Sequence, residues 1–241
     1  MELAPASRPI LPFERLGALF EVVLCSGFPT QLFLIAVLTG SGMRIQTPEG
    51  LLSPRFVFTV SLLDATLVIA LIVVLLRAHR ESVYDVLIGR GRVLREVVVG
   101  FALIPAVFMV VIAVLAVVLT YAPSLHNVLK NPLEDMLRTR TDAIVFAIVV
   151  MVAGGVREEV QRGFIVHRFD GYLGGGMAGV LVYGVLFGLG HFEQGYDASL
   201  ATGALGILWG WVYLRRRSII APVVSHAGFN LAQVVKAVAL R

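Results

Sequence analysis

The chain has one cysteine, Cys25, in 241 residues. A lone thiol forms no internal disulfide and supplies no cysteine-based zinc site. Charge is scarce too: Asp, Glu, Lys and Arg make up 15% of the residues, against about 25% in a soluble domain. Neither G-x-S-x-G nor H-E-x-x-H occurs. The first absence removes the signature of the serine-elbow hydrolases, the second that of the zincin metalloproteases. The opening "MELAPASRPILPFERLG" lacks the charged-then-apolar order of a signal peptide, so the first spanning helix is expected to act as insertion signal. No basic, aromatic-interleaved polar segment exists, which argues against nucleic acid as a partner.

Apolar residues are what the chain has in excess: 58% of it, with mean hydropathy +0.87. The expected fold is all-α, a polytopic membrane helical bundle forming one transmembrane domain over 1–241. About 20 apolar residues cross the hydrocarbon core of a bilayer. Seven segments reach or approach that length: 16–38, 56–76, 97–121, 142–169, 174–192, 200–214 and 218–240. An interfacial helix in "PSLHNVLKNPLEDMLRTRTDA" or "ESVYDVLIG" would make eight. Pro29, inside "SGFPTQ", is expected to bend the first span. Pairs of glycines four apart, Gly175 with Gly179, Gly184 with Gly188 and Gly206 with Gly210, read as close helix packing.

Orientation follows the lysines and arginines. "LRAHRESVYDVLIGRGRVLRE" after the second span and "RRR" at 215–217 fall on one side, together with Arg168, Arg8 and Arg15. That side is expected to be cytoplasmic, with the N-terminus on it and the C-terminus outside, in a bacterial plasma membrane. The segment holding Lys130, Arg138 and Arg140 is a mild exception. The net charge of +4 reflects these basic loops.

Against this apolar background, "GGVREEVQRGF" at 154–164 places Arg157, Glu158, Glu159 and Arg162 inside the fourth span. Charge at such depth costs a few kcal/mol per group even on lenient insertion scales, about 2.5–3.5. Residues four apart share a helix face, so Glu158 is expected to pair with Arg162 and leave Glu159 on another face. Two further polar pairs have the same spacing, Phe187 with His191 in "FGLGH" and His226 with Asn230 in "HAGFN". At about 1.5 Å per residue, Glu158 and Asn230 lie roughly 18 Å from the basic side, His226 about 12 Å and His191 about 26 Å. Asp64 and Glu21 are further intramembrane acids, read as structural.

A carboxylate beside histidine can take a proton from water. A neutral imidazole and an amide can donate to a developing oxyanion. Glu158 or Glu159 with His191, His226 and Asn230 therefore suits hydrolysis of an amide by activated water, and Cys25 lies far from them in the chain. A zinc ion remains open as a cofactor, since His191, His226 and Glu158 would supply three ligands.

These motifs resemble those of the CAAX-protease and bacteriocin-processing family of intramembrane endopeptidases, called CPBP or ABI. The family carries E-E-x-x-x-R, F-x-x-x-H and H-x-x-x-N on successive membrane helices. Phe187–His191 and His226–Asn230 fit the second and third, and "GWVYLRRRSIIAPVVSHAGFN" is similar throughout to the family's approach to its last motif. The resemblance covers a core at 142–235. The first motif departs: in "EEVQR" Arg162 stands one residue nearer the glutamates than the pattern asks. The resemblance implies that a glutamate activates water with His191, that His226 and Asn230 hold the oxyanion, and that Arg162 and Phe187 support them. It also implies a peptide or lipidated protein as substrate, cut near the cytoplasmic face. The family is commonly described as metalloproteases, and a metal-free glutamate mechanism is argued as well. Two other readings stay open: a non-catalytic scaffold or bacteriocin-immunity protein, and a proton-coupled transporter.

Overall fold

The structure, a computed structural model, describes residues 10–129 and 131–239. Arg8 and Lys130 of the orientation argument, and position 240 of the last expected span, lie outside them. Among the described residues the chain is helical, with one isolated bridge between Gln46 and Leu52. The order is α1 (Pro12–Leu24), α2 (Phe28–Gly40), α3 (Pro54–Ala78), α4 (Val93–Tyr121), α5 (Arg140–Val149), α6 (Glu158–Tyr172), α7 (Gly176–Leu189), α8 (Tyr196–Arg216) and α9 (Ile220–Ala239). The expected all-α bundle is what forms. By length and composition, two stretches can cross a membrane, Pro54–Ala78 and Tyr84–Tyr121, or three if α1 and α2 make one bent span. α7, at 14 residues, is a shorter apolar helix.

Local signals explain where helices begin. Ser53 caps α3 by accepting from Phe56 N, with Pro54 in the first turn. Thr139 and Asp142 form a reciprocal capping box at α5. The break in the first span comes at Gly27, not at Pro29. Gly27 has φ +87°, a left-handed conformation that glycine adopts without steric cost. Pro29 instead sits in the first turn of α2, where its missing N–H is no loss. The two helices meet at a 42° bend. The segments raised as interfacial helices hold short turns only: 3₁₀ at Pro123–Leu125 and Pro132–Met136, and a π turn at Tyr84–Ile88.

α7 packs on α8 through the expected glycines. A Cβ on Gly184 would lie 2.5 Å from Ile207 Cγ1, and one on Gly188 2.7 Å from the Ser199 carbonyl oxygen. Gly175 is different: it lies in the turn before α7 with nothing within 4 Å of an added Cβ.

The basic end of the bundle is tied by ion pairs. Arg168 on α6 reaches Glu21 on α1 at 2.5 Å and Glu81, just past α3, at 2.6 Å. His79 Nε2 lies 2.6 Å from Glu21. Thus Glu21, expected to be structural, has two partners. Burial pushes the Glu81 carboxyl up, but hydrogen bonds from His167 and Arg168 outweigh it and hold it at about 2. An unfolded glutamate titrates near 4.3. A carboxyl lowered on folding stabilises the fold fully above the unfolded value, and that contribution fades as pH falls from about 4.3 towards 2. Glu81→Gln is therefore expected to flatten the acid limb of a stability–pH curve in that window, measured as the unfolding midpoint in micelles.

Candidate active site

Before Glu158 the helix widens. Residues Val150–Arg157 form a π segment between α5 and α6, so the fourth expected span is one continuous helical run with an irregular middle. A π segment adds residues per turn and changes which side chains share a face beyond it. Gly154 and Gly155 lie within it and let α9 come close. A Cβ on Gly155 would stand 2.7 Å from Ala227 Cβ, and one on Gly154 2.5 Å from Asn230 Nδ2.

The two glutamates part company there. Consecutive helical residues turn by about 100°, and here that separates a buried side chain from a wet one. The Glu159 side chain is 1% exposed, that of Glu158 19%. Arg162 pairs with Glu159, three residues back, and not with Glu158 as its four-residue spacing suggested. The guanidinium is fully buried and lies over three rings, 4.8 Å from the centroid of Phe187, 5.1 Å from Tyr183 and 5.4 Å from Trp209. Its Nε and Nη2 have no hydrogen-bond partner, so the aromatic faces are what those N–H groups meet. Cation–π contact of this kind suits a planar guanidinium.

Glu159 also receives His226. Nδ1 of His226 lies 2.7 Å from Glu159 Oε1, and Nε2 lies 3.7 Å from Glu158 Oε2. A carboxylate only accepts, so Nδ1 carries the proton and Nε2 is turned to the cavity as an acceptor when the ring is neutral. The ring is stacked on Trp209 at 3.9 Å between centroids, and the Trp209 indole N–H donates to Ser225 Oγ at 3.0 Å. His191 obeys the same logic from a different place. α7 has ended at Leu189, and His191 Nδ1 donates to the Phe187 carbonyl oxygen at 2.8 Å. Its Nε2 is the free nitrogen. The Phe187 ring stands between the two imidazoles, 4.7 Å from His191 and 6.0 Å from His226. Asn230 Nδ2 donates to the Val150 carbonyl oxygen at 3.2 Å, leaving its second N–H.

Glu158, Phe187, His191, His226 and Asn230 all line one cavity of about 650 Å3, and Glu159 and Arg162 back it from the protein side. His226 and Trp209 both line it. Leu205, Phe146, Val57, Leu133, Gln194 and Lys236 line it as well. The lining thus includes residues from the start of α3, the 131–137 segment, the α7–α8 turn and the end of α9.

The metal set raised from sequence does not gather. Both histidines present the Nε2-facing tautomer that a metal ligand needs. Yet among the described residues no three His, Cys, Asp or Glu side chains stand close enough to hold an ion, so His191, His226 and Glu158 do not form a ligand set in this structure.

Sequence reasoning passed over a second layer. Asp64, read as structural, takes Arg157 Nη2 at 2.5 Å and the Thr30 hydroxyl, also at 2.5 Å. Arg157 Nη1 reaches Gln161 Oε1 at 3.1 Å, and Gln161 Nε2 donates to the Cys25 carbonyl at 2.6 Å. Tyr183 donates to Gln161 Oε1 at 2.9 Å. This network fastens the broken first span to the helix that carries the glutamates. Trp209 and Tyr183 carry no motif, and only their places on α8 and α7 make them part of the site.

Residues 140–232 match the family model described as Rce1-like, type II CAAX prenyl endopeptidase. The match supports the resemblance drawn from the motifs, and at family level it supports a CAAX-type intramembrane protease. No curated protein and no solved structure matches the chain.

Proposed function

With residues 140–232 as its Rce1-like part, we propose that the chain is an endopeptidase that hydrolyses a peptide bond within the bundle, on a lipidated or membrane-bound peptide. The observation that carries this reading is the chain of contacts Arg162–Glu159–His226, ending 3.7 Å from the cavity-facing carboxylate of Glu158. It separates a buried bracing carboxylate from a solvated working one.

Glu158 takes the proton from a water bound between its carboxylate and Nε2 of His226, and the hydroxide attacks the carbonyl carbon. Because Nδ1–H of His226 is committed to Glu159, the neutral ring offers no donor to the oxyanion. His226 therefore acts beside Glu158 in handling the water proton, a shift from the oxyanion role that the family resemblance implies. The free N–H of Asn230 is the donor for the oxyanion. In this reading Glu158 hands the proton on to Nε2 of His191, which lines the same cavity, and His191 delivers it to the departing amine. The proton taken from water ends on that amine, so the site returns to its starting state. No step runs through a metal.

Asn230→Ala is expected to lower kcat by about 100-fold, the loss of one oxyanion donor, with little change in KM. The assay is cleavage of a quenched fluorescent prenylated peptide by the purified protein in nanodiscs. Wild-type protein that cleaves nothing, or cleavage indifferent to both Asn230→Ala and His226→Ala, would leave the non-catalytic scaffold reading standing instead.

A further inference from the structure

One hydrogen bond does not fix a ring. His226 donates from Nδ1 to Glu159 at 2.7 Å, but χ2 of a histidine is a broad torsion, and a ring held at one atom still pivots about it. Water bound between Nε2 of His226 and Glu158, 3.7 Å apart, needs that nitrogen in one place. A second restraint has to set the plane of the imidazole.

Trp209 on α8 has the geometry for it. Its indole lies against the imidazole, with centroids 3.9 Å apart and planes 17° from parallel. The residue is 1% exposed, and a buried indole N–H seeks an acceptor. That acceptor is Ser225 Oγ at 3.0 Å. Ser225 is fully buried, and its hydroxyl donates back along α9 to the carbonyls of Ala221 at 2.9 Å and Pro222 at 3.1 Å. A hydroxyl has one proton, so what the Ser225 oxygen offers α8 is lone pairs. Ser225 and His226 are consecutive, about 100° apart around their helix. The indole thus meets α9 twice, by its N–H edge at Ser225 and by its face at His226. α8 is pressed against α7 on either side of Trp209 in sequence: a Cβ on Gly206 would lie 3.1 Å from Gly184 Cα, and one on Gly210 3.2 Å from Val180. Phe187 does not supply the same restraint, since it stands edge-on to His226 at 6.0 Å and 89°.

We propose that Trp209 and Ser225 are positioning residues for His226: Ser225 anchors the indole, and the indole sets the imidazole plane that aims Nε2 at Glu158. The consequence for turnover rests on the endopeptidase reading; the restraint on the ring does not. Aim matters to the chemistry, because a misplacement of about 1 Å can cost on the order of 100-fold in rate. Trp209 also lines the cavity, so the rival role is a wall for bound peptide. Loss of a wall raises KM, whereas loss of aim lowers kcat.

The first test is cleavage of the quenched prenylated peptide in nanodiscs by Ser225→Ala, Trp209→Phe, their double variant and Trp209→Leu. Ser225→Ala leaves every ring in place and removes only the anchor. It is expected to lower kcat by about tenfold at unchanged KM, a part of what 1 Å costs. Trp209→Phe keeps a plane but has no N–H, and should match it. The double variant should fall no further, because both changes cut the same bond. Trp209→Leu removes the plane and is expected to lose about 100-fold; should it fail to fold, Ser225→Ala and the double variant decide. Fully additive losses, a rise in KM at unchanged kcat, or turnover indifferent to Ser225→Ala overturns the proposal. The second test needs no turnover. Ring protons of an imidazole stacked on an indole are shifted upfield by its ring current. The chain has five histidines, and the NMR signal of His226 in histidine-labelled protein is identified by its loss in His226→Gln. An upfield signal that moves towards the ordinary position in Ser225→Ala, and reaches it in Trp209→Leu, is the expected result. An ordinary position in the wild-type protein overturns the proposal. Wild-type protein that shows the upfield signal and cleaves nothing removes the endopeptidase reading and leaves the restraint on His226 in place.

Discussion

Glu158→Gln is expected to lower kcat for peptide cleavage by about 1,000-fold, within the range for loss of a general base. KM and the unfolding midpoint should stay near their wild-type values. The substitution keeps the side chain's shape and changes only its ability to take a proton. Glu158 makes no hydrogen bond through its carboxylate to another side chain among those described, and its side chain is 19% exposed to the cavity, so little of the fold depends on its charge. A Glu159→Gln variant separates the roles. Glu159 holds both Arg162 and His226 Nδ1, so its neutralisation leaves a buried guanidinium without its counter-ion and should lower the midpoint along with the rate. If Glu158→Gln retained wild-type turnover while Glu159→Gln lost it with the fold intact, the assignment of the working carboxylate would be reversed.

The largest effect on stability is expected at Arg162. Removing one member of a buried ion pair typically costs about 3–5 kcal/mol, because the other charge is left without a partner. Arg162 is fully buried and Glu159 1% exposed, so Arg162→Ala leaves a carboxylate with only His226 to answer it. It also empties the space among Tyr183, Phe187 and Trp209. The expected outcome is a large drop in midpoint in nanodiscs, read by intrinsic fluorescence, or failure to accumulate in the membrane. Arg162→Lys should not rescue it, since an ammonium offers no plane to set between rings. The double variant Arg162→Met with Glu159→Gln removes both charges, and is expected to recover much of the stability with none of the activity. Stability unchanged in Arg162→Ala would mean that the pair and its aromatic cage do not hold the site together.

Some of this was legible without coordinates. Hydropathy located the apolar helices, of which two stretches, or three with the bent first pair, are long and apolar enough to cross a membrane. The spacings Phe187–His191 and His226–Asn230 singled out side chains that do line one chamber. What a 3.6-residue period could not show was the partner of Arg162. Counting four residues back from it gives Glu158, but the π segment at 150–157 and the packing of α9 turn Glu159 inward instead. The same limit hid Arg157, whose partner Asp64 is 93 residues away. The bend at Gly27 was misplaced by two residues because proline is the commoner cause of kinks. Here the cause is a left-handed glycine whose absent side chain leaves room for Arg157.

Trp209 against His226 gives this protein a built-in optical sensor. Indole emission depends on what lies flat against the ring, and these two rings stack at 3.9 Å. The chain has only one other tryptophan, Trp211, so Trp211→Phe would leave a single fluorophore. The light from that ring would then report whether the imidazole keeps its place against the indole, without any added dye.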